Sequence, residues 1–129
     1  RAQLETLEDQ IRMLDSLPDG AQLDQLKEAL DDTARADDTL PRMHEAWAHG
    51  HTRRLDAIIN QGLRRNPDLR RVLLRDRNAR WAAWIAERMQ RPGTVFVAVG
   101  VGHLVGRDSV QALLRRHRLR ARRVPNLTP

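Results

Sequence analysis

Twelve residues constrain this chain more than any others: 95–106, which read VFVAVGVGHLVG. Val95 to Val99 form an unbroken apolar run that stops at Gly100. Gly102 and Gly106 follow, with His103 between them, and a charged amphipathic segment begins at Arg107. A short apolar run closed by glycines predicts a buried strand, a tight loop and a helix start. In open α/β sheets ligands collect where strands end, because loop groups and helix N-termini converge there. His103 is therefore the first candidate site residue. Gly100, Gly102 and Gly106 form the loop, where positive φ and close approach to a ligand are open to glycine. A neutral imidazole in such a loop binds a divalent metal or moves a proton.

The rest of the chain reads as helices. Gln3 to Thr6 is short and extended, with Thr6 as an N-cap. Leu7, Ile11, Leu14 and Leu17 then recur at helical spacing up to Pro18-Asp19-Gly20. Glu5 lies at this turn into a helix, which makes it a second candidate; a carboxylate near a helix N-terminus is its ordinary reading. Leu23, Leu26, Ala29 and Leu30 form the next stripe, and residues 40–48 a third helix with Met43 and Trp47 on one face. Leu55, Ile58 and Ile59 mark a short helix. Asn66 suits an N-cap and Pro67 a first helical position, opening a helix that runs to about Arg88. On it Trp81, Trp84, Ile85 and Met89 define the buried face. Arg77 and Asn78 border that face, so the guanidinium must find a carboxylate, an anion or carbonyls. Val110, Leu113 and Leu114 give a last helix, residues 118–124 an edge strand, and 125–129 a frayed tail.

Several chemistries are excluded by spacing or composition. His44-Glu45 opens like a zinc-protease motif, but residue 48 is alanine and His49 comes a position too late. The glycine loop departs from the dinucleotide fingerprint, with Val105 where the third glycine belongs. The acidic pairs Asp31-Asp32 and Asp37-Asp38 lack the glycine of a calcium loop. With no cysteine, disulfides and thiolate metal sites are out. The net charge of +6 is carried almost wholly by arginine and mixed with acid along most of the chain. The arginines of 115–123 lack interleaved aromatics, so no specific nucleic-acid role is expected. No stretch reaches the roughly 20 apolar residues of a membrane span. Aromatics are 3% of the chain, so the tryptophans and Phe96 are expected to anchor the core.

Three separated blocks resemble the TraB/GumN family. Leu4-Glu5-Thr6 with Gln10 is similar to its L-E-T…Q block. Arg77-Asn78 with Trp81 resembles its R-N-x-x-W helix. Residues 97–106 resemble its V-A-V-G-x-G-H-L-x-G signature. His44 to Gly50 sits where the family has a helix ending in a turn. The resemblance extends to the animal Tiki proteases, which are metal-dependent. It implies an α/β fold and a divalent-metal site (Mn, Co or Zn) built from two G-x-x-H-type histidines and acidic partners. Here it places His103 and Glu5 on the metal, with Arg77 and Asn78 as further catalytic residues. It also implies a peptide or protein substrate and a periplasmic or cell-envelope setting.

The expected fold is α/β, predominantly helical, with a small, mainly parallel sheet of strands near 2–5, 94–99 and 119–124. The expected organisation is a single domain, 1–129, forming the C-terminal portion of a larger TraB/GumN-type domain. Only one histidine motif is present, so the other is expected upstream of Arg1. The chain alone is then inactive as a metal-dependent hydrolase, and it is completed by that missing half or covers the gap by self-association. The alternative is a non-catalytic interaction module that retains the fold.

Overall fold

The computed structural model describes residues 2–124, apart from the side chain of residue 32. The tail expected to fray, 125–129, lies outside the described residues. Among the described residues eight α-helices follow one another: α1 (Leu7–Asp15), α2 (Asp19–Ala34), α3 (Ala36–Ala48), α4 (Thr52–Ile59), α5 (Gln61–Arg65), α6 (Pro67–Arg70), α7 (Asp76–Arg88) and α8 (Val110–Leu114). A 3₁₀ turn, Val101–Leu104, carries the histidine loop, and another, Arg115–His117, follows α8.

Local chemistry sets the helix starts. Thr6 caps α1: its hydroxyl accepts from the Asp9 N–H at 3.1 Å, and its own N–H donates to the Asp9 carboxylate at 2.9 Å. Asn66 caps α6 by accepting from the Leu69 N–H at 3.1 Å, and Pro67 takes the first turn, where its missing N–H costs nothing. From Pro67 the chain stays helical to Arg88, but Arg71–Arg75 is a π-turn joining α6 to α7. The extra residue resets the register. Leu69 and Leu74, five apart, both point inward, and Asn78, Trp81 and Ala82 continue the buried face.

Two small cores result. Leu17, Ala21 and Leu69 pack with Leu63, Val72 and Leu73, joining α2 to the helix of 67–88. Ala46, Leu55 and Val105 pack with Met43, Ile59 and Val101, so the histidine loop is seated on α3 and α4. α7 packs against α8.

The expected sheet is not formed: among the described residues there is no strand and no ladder. Residues 2–4 and 94–99 make no backbone hydrogen bond, and 120–124 lie outside any regular element. The segment 95–99 nevertheless has a strand's alternation. Val95, Val97 and Val99 are half-buried, whereas Phe96 and Ala98 are exposed. Its sides are differentiated, but its hydrogen-bonding edges have no neighbour. The aromatic anchors also divide. Trp81 is buried and Trp84 half-buried, while Trp47 and Met89 are exposed and Phe96 is 90% exposed. The apolar stripes of α1 and α2, Leu7, Ile11 and Leu14 and then Leu23, Leu26 and Leu30, also remain exposed.

The loop glycines serve packing. Gly106 has φ +81°, and a side chain there would run into the Asp56 carboxylate. A Cβ on Gly102 would lie 3.0 Å from Ile59. Both glycines let the loop approach α4; only Gly100 faces open space apart from the His103 ring. Gly106→Ala should therefore lower stability in urea unfolding by about 2–3 kcal/mol. Gly100→Ala should change it by no more than about 0.5 kcal/mol. Equal effects at the two positions would contradict this division.

Candidate functional site

Glu5 precedes the cap of α1, and Arg77 is on the first turn of α7. The Arg77 Nε–H donates to both Glu5 oxygens, at 3.1 and 2.9 Å, and Nη2 lies 2.8 Å from Oε2. Nη1 donates to the Leu73 carbonyl at 3.2 Å. Arg80 adds a contact to Glu5 at 3.3 Å from the exposed side. The Glu5 and Arg77 side chains are only 6% and 16% exposed, so this is a desolvated, multiply bonded pair. It answers the demand the sequence raised for a partner to Arg77.

The Arg77 guanidinium lies 5.1 Å from the centre of the Trp81 ring, within cation–π range. Trp81 meets His103 on the loop, with ring centres 4.5 Å apart. His103 Nδ1 is 2.7 Å from Asn78 Oδ1, and Asn78 Nδ2 donates to the Asp108 carbonyl at 2.7 Å. The structure thus gathers Glu5, Arg77, Asn78 and His103 around Trp81.

The amide fixes the imidazole. Asn78 is wholly buried, and its NH₂ is committed to the Asp108 carbonyl. Its oxygen can only accept, so His103 Nδ1 must carry the proton. Nε2 then presents a lone pair. Burial holds the ring's pKa down to about 4, the Arg77 charge pushes the same way, and Glu5 opposes both. The imidazole is therefore neutral through the whole neutral range.

Two residues that sequence reasoning missed hold this arrangement. Arg70 donates through Nε to Asp108 Oδ2 at 2.7 Å, and its Nη2 lies at the same distance, with both side chains about four-fifths buried. That pair pins the loop segment whose carbonyl Asn78 reads. The available signal was the position of Arg70, two helical turns before Asn78.

A cleft of about 340 Å³ lies beside the pair. Glu5, Gln10, Arg77, Trp81 and Trp84 line it, together with 2–4 and 96–99. His103 is not on its lining but touches Trp81. The Trp81 Nε1–H is buried without a hydrogen-bond partner.

The expectation that His103 and Glu5 hold a metal meets a poor donor set. Glu5's oxygens already accept from two guanidinium groups, which leaves one imidazole nitrogen. Among the described residues no group of three His, Cys, Asp or Glu is placed to hold a metal.

Fold and site together define a helical chain that holds a neutral, amide-oriented imidazole next to a buried arginine–glutamate pair. The chain belongs to the TraB/PrgY/gumN family, whose model matches residues 1–123. No match was found among curated proteins or solved structures, so the wider likeness to the Tiki proteases gains no support from these comparisons. No helix among the described residues is long and apolar enough to cross a membrane.

Because folding lowers the His103 pKa, the native state binds fewer protons than the unfolded one between about 4 and 6.5. Its contribution to stability is complete above the unfolded value and is lost as pH falls toward the folded one. The ring is only partly buried, so solvent screens part of the effect, leaving about 1–2 kcal/mol. Urea unfolding of the wild type and of His103→Gln should therefore show a difference that grows through this acid range. A difference independent of pH would contradict the lowered pKa.

Proposed function

We propose that the chain carries one side of a hydrolytic site, in which His103 Nε2 accepts a hydrogen bond or proton from the attacking water. The observation that supports this reading is the Asn78-fixed neutral imidazole. The fixed tautomer leaves Nε2 as an unprotonated acceptor, the form that takes a hydrogen bond from water. Arg77 and Arg80 together outweigh the single charge of Glu5, so the neighbouring cleft favours a carboxylate or a developing oxyanion. The groups that complete the site are supplied from outside residues 2–124, by a further part of the same domain or by another copy. A peptide or protein is the proposed substrate, and no catalytic step is assigned to a metal.

The test is hydrolysis of a quenched fluorogenic peptide mixture by the complete domain. His103→Ala should lower kcat/KM by about 10²–10⁴. His44→Ala, which alters an exposed residue stacked on Trp47, should leave it unchanged. Retained hydrolysis in His103→Ala would overturn the assignment.

A further inference from the structure

We propose that the arginine segment 115–123 is a docking surface for an anionic lipid bilayer. This is independent of the hydrolytic reading and concerns another part of the surface, since none of these residues lines the cleft. Six of the nine residues are arginine, namely Arg115, Arg116, Arg118, Arg120, Arg122 and Arg123, and none is acidic. Setting these six aside leaves 17 of the chain's 23 basic residues, which its 17 acidic residues balance. The whole formal net charge of +6 therefore sits in this one stretch.

The fold gives those charges no counter-charge. All six arginines are exposed, and no carboxylate among the described residues pairs with any of them. Asp108, the nearest acid in sequence, is held by Arg70. The 3₁₀ turn Arg115–His117 packs on α7, so the stretch is anchored at its root. Arg118 ends that turn with φ +61°, a left-handed position where glycine is the unstrained choice. An arginine there keeps a charge in the segment although glycine would ease the backbone. Residues 119–124 follow in no regular element.

Six like charges in nine residues fix the kind of occupant. A further part of the same domain does not cover them as it covers an apolar edge. A guanidinium leaves water only with an anion to meet it, and six would have to be met at once. Like charges at this density repel, so the stretch gains from a surface that supplies many negative charges together. The acidic helix α2 of a second copy is of mixed sign, with Lys27 among its acids. A nucleic acid is read by aromatic stacking or by a helix or ribbon in a groove. Here there is no aromatic and, past the turn, no regular element. The side chains beside the arginines are aliphatic instead: Ala121 is exposed, and Val124, directly after the segment, is 75% exposed. Aliphatic groups and arginine stems lie among lipid headgroups while the guanidiniums meet the phosphates. A bilayer presents mobile charges on a plane, so it demands no fixed secondary structure.

The test is flotation of the complete protein with vesicles of phosphatidylcholine, alone or with about one-third phosphatidylglycerol, at about 0.05 and 0.15 M salt. Partition onto the anionic vesicles should exceed that onto the neutral ones at least about ten-fold and should fall as salt rises. Arg120→Gln, Arg122→Gln and Arg123→Gln should each weaken it about five-fold. Arg53→Gln removes the same charge from an exposed position on α4 and should leave partition within about two-fold. Arg118→Gly should weaken partition about five-fold without lowering the thermal midpoint of the lipid-free protein.

Equal partition onto the two vesicles, or an equal effect of Arg53→Gln, would overturn the proposal. Tighter binding of a DNA duplex than of anionic vesicles at equal phosphate would overturn it in favour of a nucleic acid. Lipid-free self-association abolished by the segment variants would overturn it in favour of a second copy. Unfolding of the complete protein by the segment variants would overturn it in favour of a further part of the domain. None of these readouts depends on hydrolysis, so failure here and failure of the His103 assignment are separable.

Discussion

The amide of Asn78 is the interaction on which the rest depends. It is wholly buried, donates to the Asp108 carbonyl and accepts from the His103 ring. An amide taken out of water must be matched at both ends, or the fold loses about 1–3 kcal/mol per orphaned group. The structure meets that demand from two directions. The π-turn of Arg71–Arg75 brings Asn78 onto the buried face, and the Arg70–Asp108 pair holds the loop carbonyl in place. The imidazole's tautomer follows from these packing constraints.

Glu5 and Arg77 form the second constraint, and they restrict the chemistry. Buried together, they tie the start of α1 to the first turn of α7, and the guanidinium rests on Trp81. Removing either partner would strand a charge in a desolvated place. The same bonds occupy both Glu5 oxygens in this arrangement. The positive charge also helps keep His103 neutral. The carboxylate and the imidazole, which family resemblance casts as a pair of ligands, are thus linked here through Arg77 and Trp81.

What the sequence made legible was local. Thr6, and Asn66 with Pro67, declare helix starts, and both caps form as expected; the Asp9 half of the Thr6 cap was not read. Arg77 and Asn78 stood out because polar groups on an apolar stripe need partners, and each has one. The sheet was not legible in the same way. The run 95–99 specifies an extended chain with two unlike faces, but pairing is set by a neighbour distant in sequence or on another chain. Gly102 and Gly106 were read as places of positive φ and close approach; Gly106 does take φ +81°, and both glycines stand close against α4. Arg70 and Asp108 were missed because their contact spans the loop between two helices. Phe96 was taken for an anchor on rarity, and Trp47 on rarity and helical spacing, yet an aromatic is buried only where another layer covers it.

The most direct measurement is the ¹⁵N chemical shift pair of the His103 ring at neutral pH, with two-bond couplings to the ring protons. The account predicts a neutral ring protonated at Nδ1, and loss of that single tautomer in Asn78→Ala. A ring protonated at Nε2, or a tautomer unchanged when Asn78 is removed, would contradict it.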